Sequence, residues 1–172
     1  MSVGFASRFT SRSASCFASR SAIAIMKCET GGIHGTVKIQ EVSYKGPLRF
    51  TVQISNIQPG LHGFHIHASG NDLMGPDGLC SHYNPMGAKH GGRNDPNAHR
   101  GDLGNIYVDS NGQANETFVA NLLRYDDIIG RGLVVHDHED DLGRGSFDDS
   151  TTTGHSGKRI LWGSIVRDEP CH

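Results

Sequence analysis

Seven residues able to bind a metal, His65, His67, His82, His90, His99, Asp102 and His136, fall within one stretch of this chain. Free imidazoles gather in such numbers mainly where metals hold them, because imidazole nitrogen is the commonest protein ligand for zinc and copper. Whatever fold the chain adopts must therefore bring distant positions to one place. Eleven histidines in 172 residues are the compositional anomaly behind this constraint.

The remaining signals are those of strands. Thr36-Val37-Lys38-Ile39-Gln40 and Phe50-Thr51-Val52-Gln53-Ile54 alternate polar with apolar, so each puts one face on a core and one in water. Gly31-Gly32, Lys45-Gly46-Pro47 and Pro59-Gly60 punctuate them. Further strands are expected at 22–27, 61–67, 105–108, 114–121, 132–135 and 160–166, with Asp109-Ser110-Asn111-Gly112 as a hairpin turn. Eight strands in a glycine-rich, helix-poor chain predict an all-β fold, an antiparallel Greek-key barrel or β-sandwich. Two segments, 68–103 and 137–159, lack this pattern. They are long and polar, and loops of that length in a compact domain are usually functional. Metal bonds are expected to order them.

The net charge of −2 gives no support for a nucleic-acid surface. No apolar run reaches the roughly 18 residues of a membrane helix, so no membrane partner is expected. Before Glu29 the chain has Arg8, Arg12, Arg20 and Lys27, many serines and no acid, which is the composition of an organelle transit peptide. Residues 1–21 are therefore expected to be a targeting leader, mitochondrial in preference to plastid, or else a disordered tail of a cytoplasmic protein; residues 22–172 form the domain. Cys16, Cys28, Cys80 and Cys171 show no close metal or redox spacing.

Chemistry divides the ligands. His65 and His67, two apart on a strand, leave one face together. With His136, which ends another strand, and His82 they give four nitrogens, a set suited to copper. His82, His90, His99 and Asp102 give three nitrogens and an oxygen, a closed set suited to zinc. Each set reaches four only if His82 serves both. His62 is expected to be a structural hydrogen-bonder.

Gly60-Leu61-His62-Gly63-Phe64-His65-Ile66-His67 resembles the first copper motif of the Cu/Zn superoxide dismutase family. Lys89-His90-Gly91-Gly92, Gly101-Asp102-Leu103-Gly104-Asn105, Gly130-Arg131-Gly132-Leu133-Val134-Val135-His136 and Asp140-Asp141-Leu142-Gly143 are similar to its later motifs, and the likeness covers about residues 22–166. The resemblance implies a β-sandwich and a dismutase whose substrate is superoxide anion. It implies His82 as the ring shared by copper and zinc and as proton donor. It also implies Asp140 as a carboxylate bonding His65 and His90, Arg159 as the residue that attracts the anion, and Thr153 beside the channel. A homodimer and a copper chaperone are the partners it suggests.

The family's loop-tying disulfide has no counterpart, because Pro76 and Trp162 stand at its two positions. A displaced bridge between Cys80 and Cys171 is the alternative to free thiols. Thr152 stands where many members have lysine, and steering is expected to be weaker for it. Two other functions compete: a copper-delivery protein on the same fold, expected to carry MxCxxC and CxC motifs that this sequence does not contain, and a non-catalytic metal-binding protein.

Overall fold

The computed structural model describes residues 19–168. Its strands are β1 (Ser21–Lys27), β2 (Ile33–Glu41), β3 (Leu48–Ser55), β4 (Gly60–His67), β5 (Asp102–Val108), β6 (Gln113–Ala120), β7 (Gly132–His136), β8 (Arg159–Ser164) and the short β9 (Val166–Arg167). Helix is confined to a 3-10 segment, Asp72–Leu79, and two single turns, α1 (Tyr125–Ile128) and α2 (Ser150–Thr153). The strands run in the order β5-β4-β7-β8-β1-β2-β3-β6, and every ladder is antiparallel. The passages from β3 to β4 and from β6 to β7 skip neighbours, which makes the connectivity Greek-key.

The outermost strands, β5 and β6, are consecutive in sequence. Their turn closes through Asp109 N to Gln113 O at 2.8 Å, and Tyr107 N donates to Glu116 Oε1 at 3.1 Å. The sheet therefore curls into a nearly closed barrel, which leaves little free edge. Its interior is what the alternation predicts: Val37 and Ile39 of β2, Phe50, Val52 and Ile54 of β3, and Phe64 and Ile66 of β4 share one apolar core. Burying each such side chain contributes roughly 1.5–3 kcal/mol.

The same alternation positions the functional side chains. Phe64 and Ile66 point inward, so His65 and His67 point out of the barrel wall. Val135 points inward, so His136 points out beside them. Segments 68–101 and 137–158 then lie over this outer face.

At the amino-terminal side, Arg20 is already part of the fold. Its guanidinium takes the buried Glu41 carboxylate with both Nε (3.0 Å) and Nη2 (2.8 Å), reaches Asp126 at 2.8 Å, and lies over the Tyr125 ring. Glu41 is held below the usual carboxylate range, chiefly by the Arg20 hydrogen bonds. Residues 1–18, the greater part of the leader expected over 1–21, lie outside the described residues. Among the described residues no helix is long and apolar enough to cross a membrane.

Candidate metal centre

The outer wall gathers the expected histidines. Ligand atoms of His65, His67, His82 and His136 all lie within 4.8 Å of one another, and so do those of His65, His82, His90 and Asp102. All six residues are buried. His99 joins the second group through its carboxylate: its Nδ1 is 3.3 Å from Asp102 Oδ1, the oxygen that His82 Nδ1 meets at 2.9 Å. The compact second set counts His65 where the sequence chemistry has His99. With Nε2 on Asp140, His65 has only Nδ1 to offer and can serve one group, whereas His99 Nδ1 is also buried and unpartnered beside Asp102.

Loop backbone delivers the groups that come from outside the strands. Tyr83 N donates to Ile66 O, and Ile66 N to Gly101 O, each at 2.8 Å, so both ends of the loop pair with the edge of β4. That places His82 and Asp102 directly beside His65 and His67. A Cβ on Gly154 would run into Asp140 Oδ1 and His90 Nε2, and its φ of +70° suits glycine.

The pattern of satisfied and unsatisfied nitrogens is the test of whether metal fits. His67 Nδ1 donates to Cys80 O at 2.8 Å and His136 Nδ1 to Gly157 O at 3.1 Å. His65 Nε2 and His90 Nε2 donate to Asp140 Oδ2 and Oδ1 at 2.9 and 2.7 Å. Each ring thus spends one nitrogen as a donor, which assigns the lone pair to the other nitrogen. Those other atoms, His65 Nδ1, His67 Nε2 and His136 Nε2, are buried without a hydrogen-bond partner, and His90 Nδ1 and His99 Nδ1 face the Asp102 carboxylate at 3.0 and 3.3 Å without hydrogen-bond geometry. Ring nitrogens left so within one site are costly unless a cation takes them. The residues present fit the donor sets suited to copper and zinc.

Electrostatics agree. Burial first, and neighbouring imidazoles next, push His65 and His67 well below the ordinary value. Burial pushes His136 down to about 4. His90 behaves oppositely: burial lowers it, but the Asp102 and Asp140 carboxylates more than offset that and raise it to about 9. Asp102 is held far below the carboxylate range; burial would raise it, and three histidines outweigh burial. In the metal-free chain a proton on His90 stands in for a cation.

Beside the first group opens a cavity of about 680 Å³, lined by His67, His82, His136, Lys89, Thr153 and Arg159 among others. Arg159 is anchored by Nη2 to Cys80 O at 2.6 Å and by Nη1 to Pro76 O. Asp149, also at the rim, is tied to His155 at 2.8 Å. His62 lies buried outside both groups, its ring nitrogens each 2.8 Å from a backbone oxygen, of His136 and of Gln58. Asn105 is a contributor whose role sequence reasoning missed. Its side chain holds the Asp140 backbone through two hydrogen bonds, at 2.7 and 2.9 Å; only its place in a glycine-flanked motif signalled it. Cys80 is an exposed free thiol, and Cys171 lies outside the described residues.

Comparison with known proteins points one way on family and two ways on activity. The family model described as "Copper/zinc superoxide dismutase (SODC)" matches residues 33–165. The copper chaperone for superoxide dismutase of Rattus norvegicus is 42% identical over 146 residues, 85% of this chain and 53% of that protein. The human copper chaperone for superoxide dismutase is 40% identical over 139 residues, 80% of this chain and 50% of that protein. A Cu-Zn superoxide dismutase of Paramecium bursaria Chlorella virus 1 is 42% identical over 144 residues, 81% of this chain and 74% of that protein. The chain thus spans about half the length of the chaperones that it matches.

Proposed function

The chain belongs to the copper/zinc superoxide dismutase family, and we propose that it is a dismutase, taking superoxide anion at the Arg159-lined cavity. The supporting observation is the set of orphaned buried nitrogens beside an open, cationic cavity. Storage of a metal needs the first feature and not the second.

Copper held by His65, His67, His82 and His136 would supply the one-electron chemistry by which two superoxide anions and two protons become oxygen and hydrogen peroxide, and zinc held by His82, His90, His99 and Asp102 would add charge without redox chemistry. The chain's own residues do the rest. Arg159 presents a fixed positive charge to the cavity, and its two carbonyl anchors hold it there. A small anion gains from such a field, so encounter should be faster at low salt. Lys89 adds positive charge at the rim; on the other side Thr152 adds none, and Asp149 brings a carboxylate tied to His155. His82 has Nδ1 beside Asp102, so its Nε2 is left facing the first group, and when no cation takes that atom it can hold a proton at the cavity wall. Asp140, bonded to both His65 and His90, fixes one ring in each group and keeps their geometry common.

A copper-delivery role is the second reading, favoured by the chaperones among the relatives. One sample separates the two. Copper and zinc content is measured beside dismutation and beside copper transfer to a metal-free dismutase. Turnover that is lost in His136→Ala supports the enzyme; transfer without turnover supports delivery. A homodimer and mitochondrial import belong to the proposal through the family resemblance and the leader's composition. Sedimentation, and a reporter fused to residues 1–27, test them.

A further inference from the structure

Among the described residues no disulfide ties the loop of residues 68–81 to the barrel, and both cysteines there, Cys28 and Cys80, are free. What holds the loop lies on the outer face of β7 and β8. Val135 and Leu161 enter the barrel core, whereas Val134 and Trp162, paired across the two strands, point outward. Leu79, the last residue of the 3-10 segment, covers them. The three form a separate apolar cluster in which Leu79 and Val134 are fully buried and Trp162 is 4% exposed. Gly132 leaves room for the contact, since a Cβ there would meet Leu79 Cδ2 at 2.8 Å.

The next residue is Cys80, and its carbonyl accepts from both His67 Nδ1 at 2.8 Å and Arg159 Nη2 at 2.6 Å. One backbone oxygen therefore orients a ring of the first histidine group and the guanidinium facing the cavity. Cys80 has a φ of 63°, a left-handed value that a non-glycine residue leaves when released. Something adjacent must hold it. Backbone hydrogen bonds flank Cys80, Ser69 N to Leu79 O at 3.1 Å and Ala68 N to Ser81 O at 2.8 Å, and the Leu79 cluster packs against the same turn. The side-chain tethers, Lys27 with Asp72 at 2.7 Å and Ser164 with Gly70 O at 2.8 Å, fix the start of the loop. A half-exposed ion pair contributes little in any case.

We propose that Trp162 is a positioning residue: by packing Leu79 against the barrel wall it fixes the Cys80 carbonyl, and through it Arg159 and His67, in place of a covalent tie. The functional part rests on the dismutase reading; the structural part does not.

The full-length chain is compared as wild type, Trp162→Ala, Trp162→Phe and Leu79→Val, each loaded with zinc alone and with both metals. In Trp162→Ala, amide exchange at residues 79–81 should rise about tenfold or more. The His67 Nδ1 proton should disappear from the NMR spectrum of the zinc-only form. With both metals, kcat/KM should fall about tenfold, as a small misplacement of a positioned group allows. Its salt dependence should flatten towards that of Arg159→Ala, with metal content unchanged. Trp162→Phe should restore most of each signal. Leu79→Val should show the same pattern at reduced size, and it replaces Trp162→Ala if that variant does not fold. Reductant should leave the wild type unaltered. Wild-type exchange and a retained His67 proton in both trimmed variants would overturn the proposal, as would a wild type that loosens at residues 79–81 on reduction. A wild type without turnover, but with the expected exchange and proton signals in the variants, would sink the dismutase reading and leave the positioning role standing.

Discussion

The inside and the outside of the β4–β7 wall are built on opposite principles. Inward, Phe64, Ile66, Leu133 and Val135 are satisfied by contact alone; any well-packed apolar neighbour will do. Outward, His65, His67 and His136 are equally buried and leave a nitrogen each without a partner. The first surface is complete as a folded chain. The second leaves lone pairs that a cation would satisfy, and its rings are oriented by a few carbonyls and one carboxylate, Asp140. A protein can therefore be fully folded on one side of a strand and unfinished on the other.

The largest effect that would break this comparison comes from the shared ring. His82→Ala should drop dismutation to the uncatalysed rate and lower both copper and zinc content, while circular dichroism of the barrel is retained. Loss of one metal alone would mean that the two groups are independent.

Phe50→Ala sharpens the other side. It should cost about 3–5 kcal/mol in denaturant titrations, and by the same amount in metal-free and metal-loaded protein, because Phe50 touches only the core. Asp140→Asn should do the reverse. It should weaken metal affinity about 10–100-fold in competition titrations, with little effect on the metal-free fold.

Acid and base separate the histidines of the metal centre by sign. In the metal-free protein His65, His67, His82 and His136 have folded pKa values below the ordinary 6.5, His136 at about 4. The unfolded chain then binds more protons, so stability falls as pH drops below about 6.5. His90, raised to about 9, contributes fully below 6.5 and loses that contribution as pH rises through 9. Metal-free protein should therefore be most stable near neutral pH in urea titrations. With metal in place of the His90 proton, the alkaline decline should vanish and the acid decline should steepen as protons compete for ligands.

The smallest effect belongs to the cavity. Arg159→Ala should keep both metals and lower kcat/KM about tenfold, with a flatter dependence on ionic strength. An unchanged salt slope would remove Arg159 from the anion's path.

Much of this was legible in the residues. Period-2 alternation located β2 and β3 to within three residues at either end, because a half-buried strand cannot hide its pattern. The gathering of the candidate ligands was legible for a similar reason, since His65 and His67, two apart on a strand, must leave one face together. What escaped was carried by backbone atoms. The Cys80 and Gly157 carbonyls that orient His67 and His136 have no side-chain signature. The 3-10 segment Asp72–Leu79 contains Gly75 and Pro76 and reads as loop. The strand expected at 160–166 divides into β8 and β9, because Ile165 N turns to Arg131 O. In the sequence Trp162 is marked only by standing at a disulfide position; Leu79 lies 83 positions earlier and only the folded loop brings them together.

The proposed function turns on one ring, His82, joining two cation sites on the outer wall. A crystal structure of the protein loaded with copper and zinc, with anomalous scattering recorded for each metal, tests it most directly. One copper is expected against His65, His67 and His136 and one zinc against His90, His99 and Asp102, with His82 between them. A single ion, or a His82 side chain turned towards solvent, would contradict it.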